Sequence, residues 1–247
     1  MTKLVETIEW NDENIRNFWD FYSHYPEFYF TYQYGKQIVS TLLPFMKTGS
    51  HVLDYGCGTG FLIQHLLSSS FRVYGTDTSP SSLLKVAERF SGEENFGGGF
   101  EIDKIVSDER LEGNFDVVCL IEVVEHLNDH HLAQVVRNIK KLLKKGGLLA
   151  ITTPNEEDLS ASYVYCPESK KVFHRWQHVR SWSTHSIATY LTKHDFTPKE
   201  VFTTDFSVTG PPPVTVKSFV RNALTLLGML KRNTAPHPHL VYIGTNQ

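Results

Sequence analysis

The chain has 247 residues, with 24 basic and 27 acidic side chains and a formal net charge of −3. Apolar residues make up 40 % of it, enough for a sizeable core, which excludes wholesale disorder. The charge balance disfavours general nucleic-acid binding, because a protein that follows a phosphate backbone needs a surplus of Lys and Arg. Its 3 cysteines are odd in number and form no CxxC pair, which disfavours a disulfide framework or a zinc knuckle.

These features predict a reduced cytoplasmic protein. The first residues do not match a signal peptide, and no apolar run approaches the roughly 20 residues of a transmembrane helix. Neither repeats nor a dividing linker are visible, so we expect one domain over residues 1–247. Within it we expect a helical extension or cap (1–45), a ligand-binding core (46–206), and an insertion helix with the final strand (207–247).

Strand and helix patterns alternate along the core. The strands predicted at His51–Tyr55, Phe71–Gly75 and Phe115–Ile121 each run into a polar or glycine-rich cluster and then into a helical pattern. This alternation predicts crossover connections and a parallel sheet. The remaining predicted elements are a loop at Gly92–Gly99, strands at Glu101–Ser107, Gly147–Thr153, Lys199–Phe206 and Leu240–Gly244, a helix at Ser183–His194 and an amphipathic stretch at Val214–Arg232.

Glycines follow the first strand with the spacing G-x-G-x-G, at Gly56, Gly58 and Gly60. Glycine is needed where the backbone turns sharply or touches a ligand, and the end of a parallel strand is where such sheets bind ligands. No lysine follows, so the loop is not a P-loop. Asp54 precedes it, and a carboxylate there suits a ligand with a positive group. Asp77 ends the second strand, where a carboxylate can accept both hydroxyls of a ribose.

Four segments resemble the class I S-adenosylmethionine-dependent methyltransferases. VLDYGCGTG and VYGTDTSP match the family's first two motifs, and FDVVCLIEVVEHL and KKGGLLAITTPN match its fourth and fifth strands, over about residues 45–206. The resemblance implies an α/β fold with a seven-stranded, mostly parallel, doubly wound sheet whose last strand is antiparallel, here with an N-terminal helical extension. It also implies S-adenosylmethionine as the cofactor.

The family's site residues carry over onto matching positions. The resemblance implies that Asp54 and the glycine loop face the methionine part and that Asp77 holds the ribose. The adenine-facing acid of the family follows the third strand, where both Asp103 and Asp108 fit. The predicted cofactor-binding set is Asp54, Gly56, Gly58, Gly60, Asp77, Thr78, Asp103 and Glu122.

A Glu-x-x-Glu-His segment follows the fourth strand. If a helical turn begins at Glu122, then Glu125 and His126 share its face, where they can ligate a divalent metal or supply a base with an orienting acid. His178 offers a second imidazole later in the chain. We predict catalytic roles for His126, His178 and Glu122, with general-base use or substrate contact favoured over a metal.

Two subfamilies share parts of this pattern. Ubiquinone-biosynthesis-type O-methyltransferases resemble it through Glu-x-x-Glu-His. Small-RNA 2′-O-methyltransferases also share the Thr-Pro-Asn strand end and a later His-x-x-x-Trp, and in them four side chains hold a metal. Carried over, that set is Glu122, Glu125, His126 and His178.

The sequence therefore predicts a methyltransferase that acts on a small-molecule acceptor, most readily at oxygen. A metal-dependent RNA 2′-O-methyltransferase is the first alternative, although the net charge of −3 disfavours it. A cofactor-binding regulatory module without catalysis is the second.

Overall fold

A computed structural model describes residues 6–207 and 237–247. The predicted stretch Val214–Arg232 lies outside these ranges. Two helices, α1 (Asp12–Tyr22) and α2 (Phe30–Leu42), occupy the predicted N-terminal extension. Among the residues described, no helix combines the length and the apolar character needed to cross a membrane. The division of the chain into an extension (1–45), a ligand-binding core (46–206) and a final region (207–247) remains a prediction.

The strands and helices alternate through the core. The strands are β1 (His51–Tyr55), β2 (Arg72–Asp77), β3 (Phe96–Glu101), β4 (Phe115–Ile121), β5 (Leu143–Pro154), β6 (Tyr163–Cys166), β7 (Lys171–His174), β8 (Phe196–Thr204) and β9 (His239–Asn246). The later helices are α3 (Phe61–Leu67), α4 (Pro80–Phe90), α5 (Ile102–Ser107), α6 (Asp129–Leu142) and α7 (Thr184–Thr192).

Seven strands form one sheet in the order β3-β2-β1-β4-β5-β9-β8. The final strand, β9, runs antiparallel to both of its neighbours, and the other pairings are parallel. This confirms the predicted fold class. Strands β6 and β7 form a separate antiparallel hairpin, which the sequence analysis did not predict.

Helices cover both faces of the sheet, and neighbouring residues of one strand contribute side chains to opposite faces. Val52 packs into the apolar layer that α2, α3 and α4 share, whereas Leu53 packs into the layer that α5, α6 and α7 share. The strand period of two residues places successive side chains on opposite faces, so a strand covered on both sides is apolar throughout. Residues of β1 from Val52 onward are accordingly buried.

The strand order reverses around β1. Strand β2 lies on one side of β1 and β4 on the other, so the chain runs outward in both directions from this point. The loops after such strands separate and leave a crevice at the carboxyl ends. Tyr55, Asp77 and Ile121 end these three strands, which brings the predicted motifs to one edge of the sheet.

The third strand is where the sequence analysis was wrong. The predicted strand at Glu101–Ser107 is mostly helix α5, and β3 instead runs through the glycine-rich segment predicted as a loop. A Cβ atom on Gly97 would overlap the ring of Tyr74 from β2. Glycine at position 97 therefore allows the aromatic ring to lie across the strand, and this close approach outweighs glycine's ordinary preference for turns.

Candidate active site

The glycine loop turns directly after β1. Gly56, Gly58 and Gly60 all have positive φ angles, 82°, 50° and 85°. At Gly58 a Cβ atom would lie 2.5 Å from Cε1 of Tyr29, so both the backbone conformation and the space demand glycine. The predicted loop is thus confirmed as a left-handed turn, with α3 beginning immediately after it.

Asp77 joins the loop to the end of β2. Its Oδ2 accepts a hydrogen bond from the Gly58 amide at 2.8 Å, and its Oδ1 accepts one from the Ser79 amide at 2.8 Å. Burial raises the pKa of this carboxyl group, although the backbone amides oppose the shift. The carboxylate thus lies beside the glycine loop, where the sequence placed a ribose contact.

Asp54 lies beneath the loop. Its side chain is buried, and its Oδ2 has no hydrogen-bond partner among the residues that the structure describes. Burial, followed by the negative charge of Asp77, raises its pKa to about 8. A buried, unpartnered carboxyl group suits a cationic ligand, because a positive charge nearby favours the ionised form.

A cavity of about 760 Å³ opens at this edge of the sheet. Such a volume lies within the range of small-molecule sites. Six of the predicted cofactor residues line it, whereas Asp54 and Gly60 do not reach its wall. The lining members are Gly56, Gly58, Asp77, Thr78, Asp103 and Glu122.

Asp103 and Asp108, the two candidates for the adenine-facing acid, differ in their position relative to the cavity. Asp103 lies in the first turn of α5 and lines the cavity. Asp108 instead forms two hydrogen bonds with the Arg110 guanidinium, at 2.9 and 2.7 Å, and does not line it. Glu101, which the sequence analysis did not select, also lines the cavity next to Asp103.

The Glu-x-x-Glu-His segment is not the helical face that its spacing suggested. Glu122 has a φ of 51°, and only a short 3₁₀ turn, Val124–His126, follows it. The Glu122 carboxylate accepts a hydrogen bond from Oγ1 of Thr152 at 2.8 Å, and burial raises its pKa to about 7. Its left-handed backbone lets the segment bend across the end of β5 instead of continuing into a helix.

Glu125 and His126 lie next to each other, with Oε1 of the buried Glu125 3.9 Å from Nε2 of His126, beyond hydrogen-bond distance. Oε2 of Glu125 accepts from Oγ1 of Thr153 at 2.9 Å, while its Oε1 and Nδ1 of His126 have no partner within the described chain. Burial raises the pKa of Glu125 well above its usual range and lowers that of His126. The Trp19 ring meets His126 edge-on, with centroids 4.9 Å apart.

His178 reaches the cavity from the segment after β7. Its Nδ1 lies 2.5 Å from Oε2 of Glu157, and its ring stacks on that of His174 at 4.4 Å. Of these two side chains, only His178 was predicted from the sequence as a site residue. The only signal for Glu157 was its place just past the end of β5, because the fold brings this strand end to the cavity.

Within the described ranges, 6–207 and 237–247, two groups of side chains could hold a metal ion. Glu125, His126 and His178 form the first, and Glu157, His174 and His178 form the second, each with ligand atoms within 4.8 Å of one another. Glu122 belongs to neither group. Of the four side chains that the RNA methyltransferase pattern requires, three are therefore brought together at this spacing.

Comparison with known proteins agrees with this geometry. The family model described as "Methyltransferase domain" matches residues 24–201. The chain is 32 % identical over 107 residues to ubiquinone biosynthesis O-methyltransferase of Coxiella burnetii, covering 43 % of this chain and 44 % of that protein. It thus spans less than half the length of this relative.

Solved structures share the fold. The PH0226 protein of Pyrococcus horikoshii superposes with a TM-score of 0.61 at 19 % identity, over 92 % of this chain and 99 % of the other. Phosphoethanolamine N-methyltransferase 2 of Haemonchus contortus, in complex with S-adenosyl-L-methionine, gives 0.62 at 19 % identity, over 94 % of this chain and 59 % of the other. With the family model, the glycine loop and Asp77 in place, the chain belongs to the class I S-adenosylmethionine-dependent methyltransferases.

Proposed function

We propose that the protein transfers a methyl group from S-adenosylmethionine to a hydroxyl oxygen of a small molecule. One observation carries this proposal: a single cavity is lined both by the glycine loop with Asp77, called its loop end, and by His126 and His178, called its histidine end. Support for oxygen as the acceptor atom comes from the similarity to ubiquinone biosynthesis O-methyltransferase.

The residues at the loop end fit the cofactor. Asp77 offers carboxylate oxygens to the ribose hydroxyls, and the open backbone at Gly56 and Gly58 admits close contact. The buried, unpartnered Oδ2 of Asp54 favours a positive charge nearby. When bound, S-adenosylmethionine supplies an activated methyl group on a positively charged sulfur.

The residues at the histidine end fit the acceptor. The hydroxyl oxygen forms the new bond to the methyl carbon, and its proton passes to Nε2 of His178. The electron pair of the broken carbon–sulfur bond stays on sulfur, so the positive charge is transferred to the imidazolium. His178 suits this role better than His126, whose lowered pKa makes it the weaker base.

The acceptor that fits is small and partly apolar. Trp19, Tyr22, Phe28 and Trp176 line the cavity beside the histidines, and aromatic faces pack well against a ring or an apolar substituent. A nucleic-acid acceptor is disfavoured by the net charge of −3. We place the reaction in the cytoplasm, which agrees with three free cysteines, Cys57, Cys119 and Cys166.

Incubation with methyl-labelled S-adenosylmethionine tests the proposal. The acceptor panel contains phenols, catechols, sugars and a short single-stranded RNA, each with and without EDTA. The expected result is label in a hydroxyl compound whether or not EDTA is present, and much less label with the Asp77→Ala variant at a cofactor concentration below saturation. Label in RNA that EDTA abolishes would favour the metal-dependent RNA alternative. Cofactor binding by calorimetry with no label in any acceptor would favour the non-catalytic module.

A further inference from the structure

We propose that Glu157 is a positioning residue, whose carboxylate holds His178 in the tautomer with its proton on Nδ1. In that tautomer Nε2 presents a free lone pair to the acceptor end of the cavity. The effect of Glu157 on the reaction rate rests on the proposed function. The tautomer of His178 does not, because it can be measured without any substrate.

The contact between the two side chains determines which atom donates. Oε2 of Glu157 and Nδ1 of His178 are 2.5 Å apart, so a hydrogen bond joins the two side chains. An ionised carboxylate only accepts hydrogen bonds, so the imidazole nitrogen must carry the proton.

His174 lies beside the other oxygen of the same carboxylate. Nδ1 of His174 accepts hydrogen bonds from the backbone amides of Trp176, at 3.3 Å, and His178, at 3.2 Å. Because Nδ1 accepts, the proton of a neutral His174 ring is on Nε2, which lies 3.3 Å from Oε1 of Glu157. Each carboxylate oxygen of Glu157 therefore faces an imidazole nitrogen.

The backbone around His178 is held independently of Glu157. Gln177 is fully buried, and its side-chain amide donates to the His126 carbonyl at 2.9 Å and accepts from Nε1 of Trp19 at 3.1 Å. The Val179 amide donates to the Glu125 carbonyl at 2.9 Å. With the backbone fixed on both sides, the ring's rotation and tautomer are the remaining freedom of His178, and these are what the contact with Glu157 restricts.

Nε2 of His178 is left available for the reaction. It makes no hydrogen bond with any residue that the structure describes, and the side chain lines the cavity. A carboxylate that orients an imidazole through Nδ1 and leaves Nε2 free is the arrangement that serine hydrolases use to aim a general base. We therefore expect the loss of Glu157 to reduce the turnover rate and to leave cofactor affinity unchanged.

Nitrogen-15 NMR of the imidazole rings in the full-length protein tests the tautomer directly, because protonated and unprotonated ring nitrogens resonate in separate ranges. His178→Gln identifies the relevant signals. We expect Nδ1 of His178 in the protonated range and Nε2 in the unprotonated range. In Glu157→Ala both nitrogens should move to intermediate values as the tautomers interchange. A wild-type signal with the proton on Nε2 would overturn the proposal.

Kinetics with the best hydroxyl acceptor of the screen above test the consequence. Glu157→Ala should lower kcat roughly 10–100-fold, which is part of the 10²–10⁴-fold that a general base contributes, with the cofactor Kd unchanged. Glu157→Gln, which keeps an acceptor oxygen, should recover part of this loss. Glu156→Gln is the matched control, since its side chain is exposed and does not line the cavity.

The two measurements keep the inferences separate. An unchanged kcat in Glu157→Ala would overturn the positioning role. If even the wild-type protein methylates no hydroxyl compound, the proposed function fails, while the NMR result still decides the tautomer.

Discussion

Asp77 and Gly58 are joined by a hydrogen bond of 2.8 Å from the Gly58 amide to Oδ2 of the carboxylate. The bond connects the ends of two neighbouring strands, so the acid that we expect to hold the ribose also fixes the loop that we expect to contact the rest of the cofactor. Binding residues from two separate motifs therefore act as one unit.

Replacing Asp77 by Ala should weaken cofactor binding roughly 10–100-fold. The reason is the loss of hydrogen bonds to a charged group, worth about 1.5–3 kcal/mol, together with the loss of the bond to Gly58. Isothermal calorimetry with S-adenosylhomocysteine measures the effect. Asp108→Asn is the matched control, because Asp108 follows α5 but pairs with Arg110 away from the cavity. Near-native affinity in Asp77→Ala would contradict the ribose assignment.

Replacing Gly58 by Ala should abolish cofactor binding and destabilise the fold. The added Cβ would meet the Tyr29 ring at 2.5 Å, and the φ of 50° strains any residue other than glycine. Gly113→Ala provides the comparison, since Gly113 has a φ of 58° with no atom within 4 Å of the added carbon. It should show only the cost of the backbone conformation, about 1 kcal/mol in urea unfolding. Equal cofactor affinity in the two variants would rule out a close approach at Gly58.

Asp54 should make the ligand-free protein less stable as the pH rises. Its pKa is about 8 in the folded state and near 3.8 unfolded, so between these values the folded state holds more protons. The contribution of Asp54 to the free energy of unfolding is therefore greatest below about pH 4. It decreases as the pH rises from there to about 8, by at most about 1.4 kcal/mol per pH unit.

Asp54→Asn removes that dependence. Urea unfolding at pH 5 and pH 8.5 gives the free energy of unfolding of the variant and of the wild type. The variant should gain in stability relative to the wild type at the higher pH. Other buried acids affect both proteins equally, so only the difference is diagnostic. A difference that stays constant with pH would show that Asp54 is ionised throughout.

His178→Ala should lower turnover by roughly 10²–10⁴-fold and leave the cofactor Kd unchanged, because the side chain acts on the acceptor proton. Initial rates of S-adenosylhomocysteine formation and calorimetry separate the two quantities. His130→Ala should match wild type, since His130 is exposed on α6. An unchanged rate in His178→Ala would remove this residue from the reaction.

Sequence patterns predicted the parts of this site that depend on strand ends. Gly56, Gly58 and Asp77 follow apolar strands, and parallel strands bring their carboxyl ends to one edge, so their meeting could be expected. Strand β3 could not be predicted in this way, because the need for glycine at position 97 comes from the Tyr74 ring of the neighbouring strand.

The arrangement of side chains around the histidines could not be predicted from the sequence and became visible only in the structure. Glu122 takes a left-handed conformation that no residue spacing reveals, and this replaces the expected helical face. Glu157 is adjacent in sequence to another glutamate, and its contact with His178 depends on how the segment after β7 folds back. Pairings across such loops are set by tertiary packing, to which local patterns are insensitive.

The central claim is that an S-adenosyl nucleoside binds between the glycine loop and Asp77. Amide proton–nitrogen NMR spectra recorded during titration with S-adenosylhomocysteine test it most directly. We expect saturable shifts at Gly56, Gly58, Thr78 and Asp103, with little change at Gly113. Absence of shifts at millimolar ligand, or saturable shifts confined to residues away from this edge of the sheet, would contradict the account.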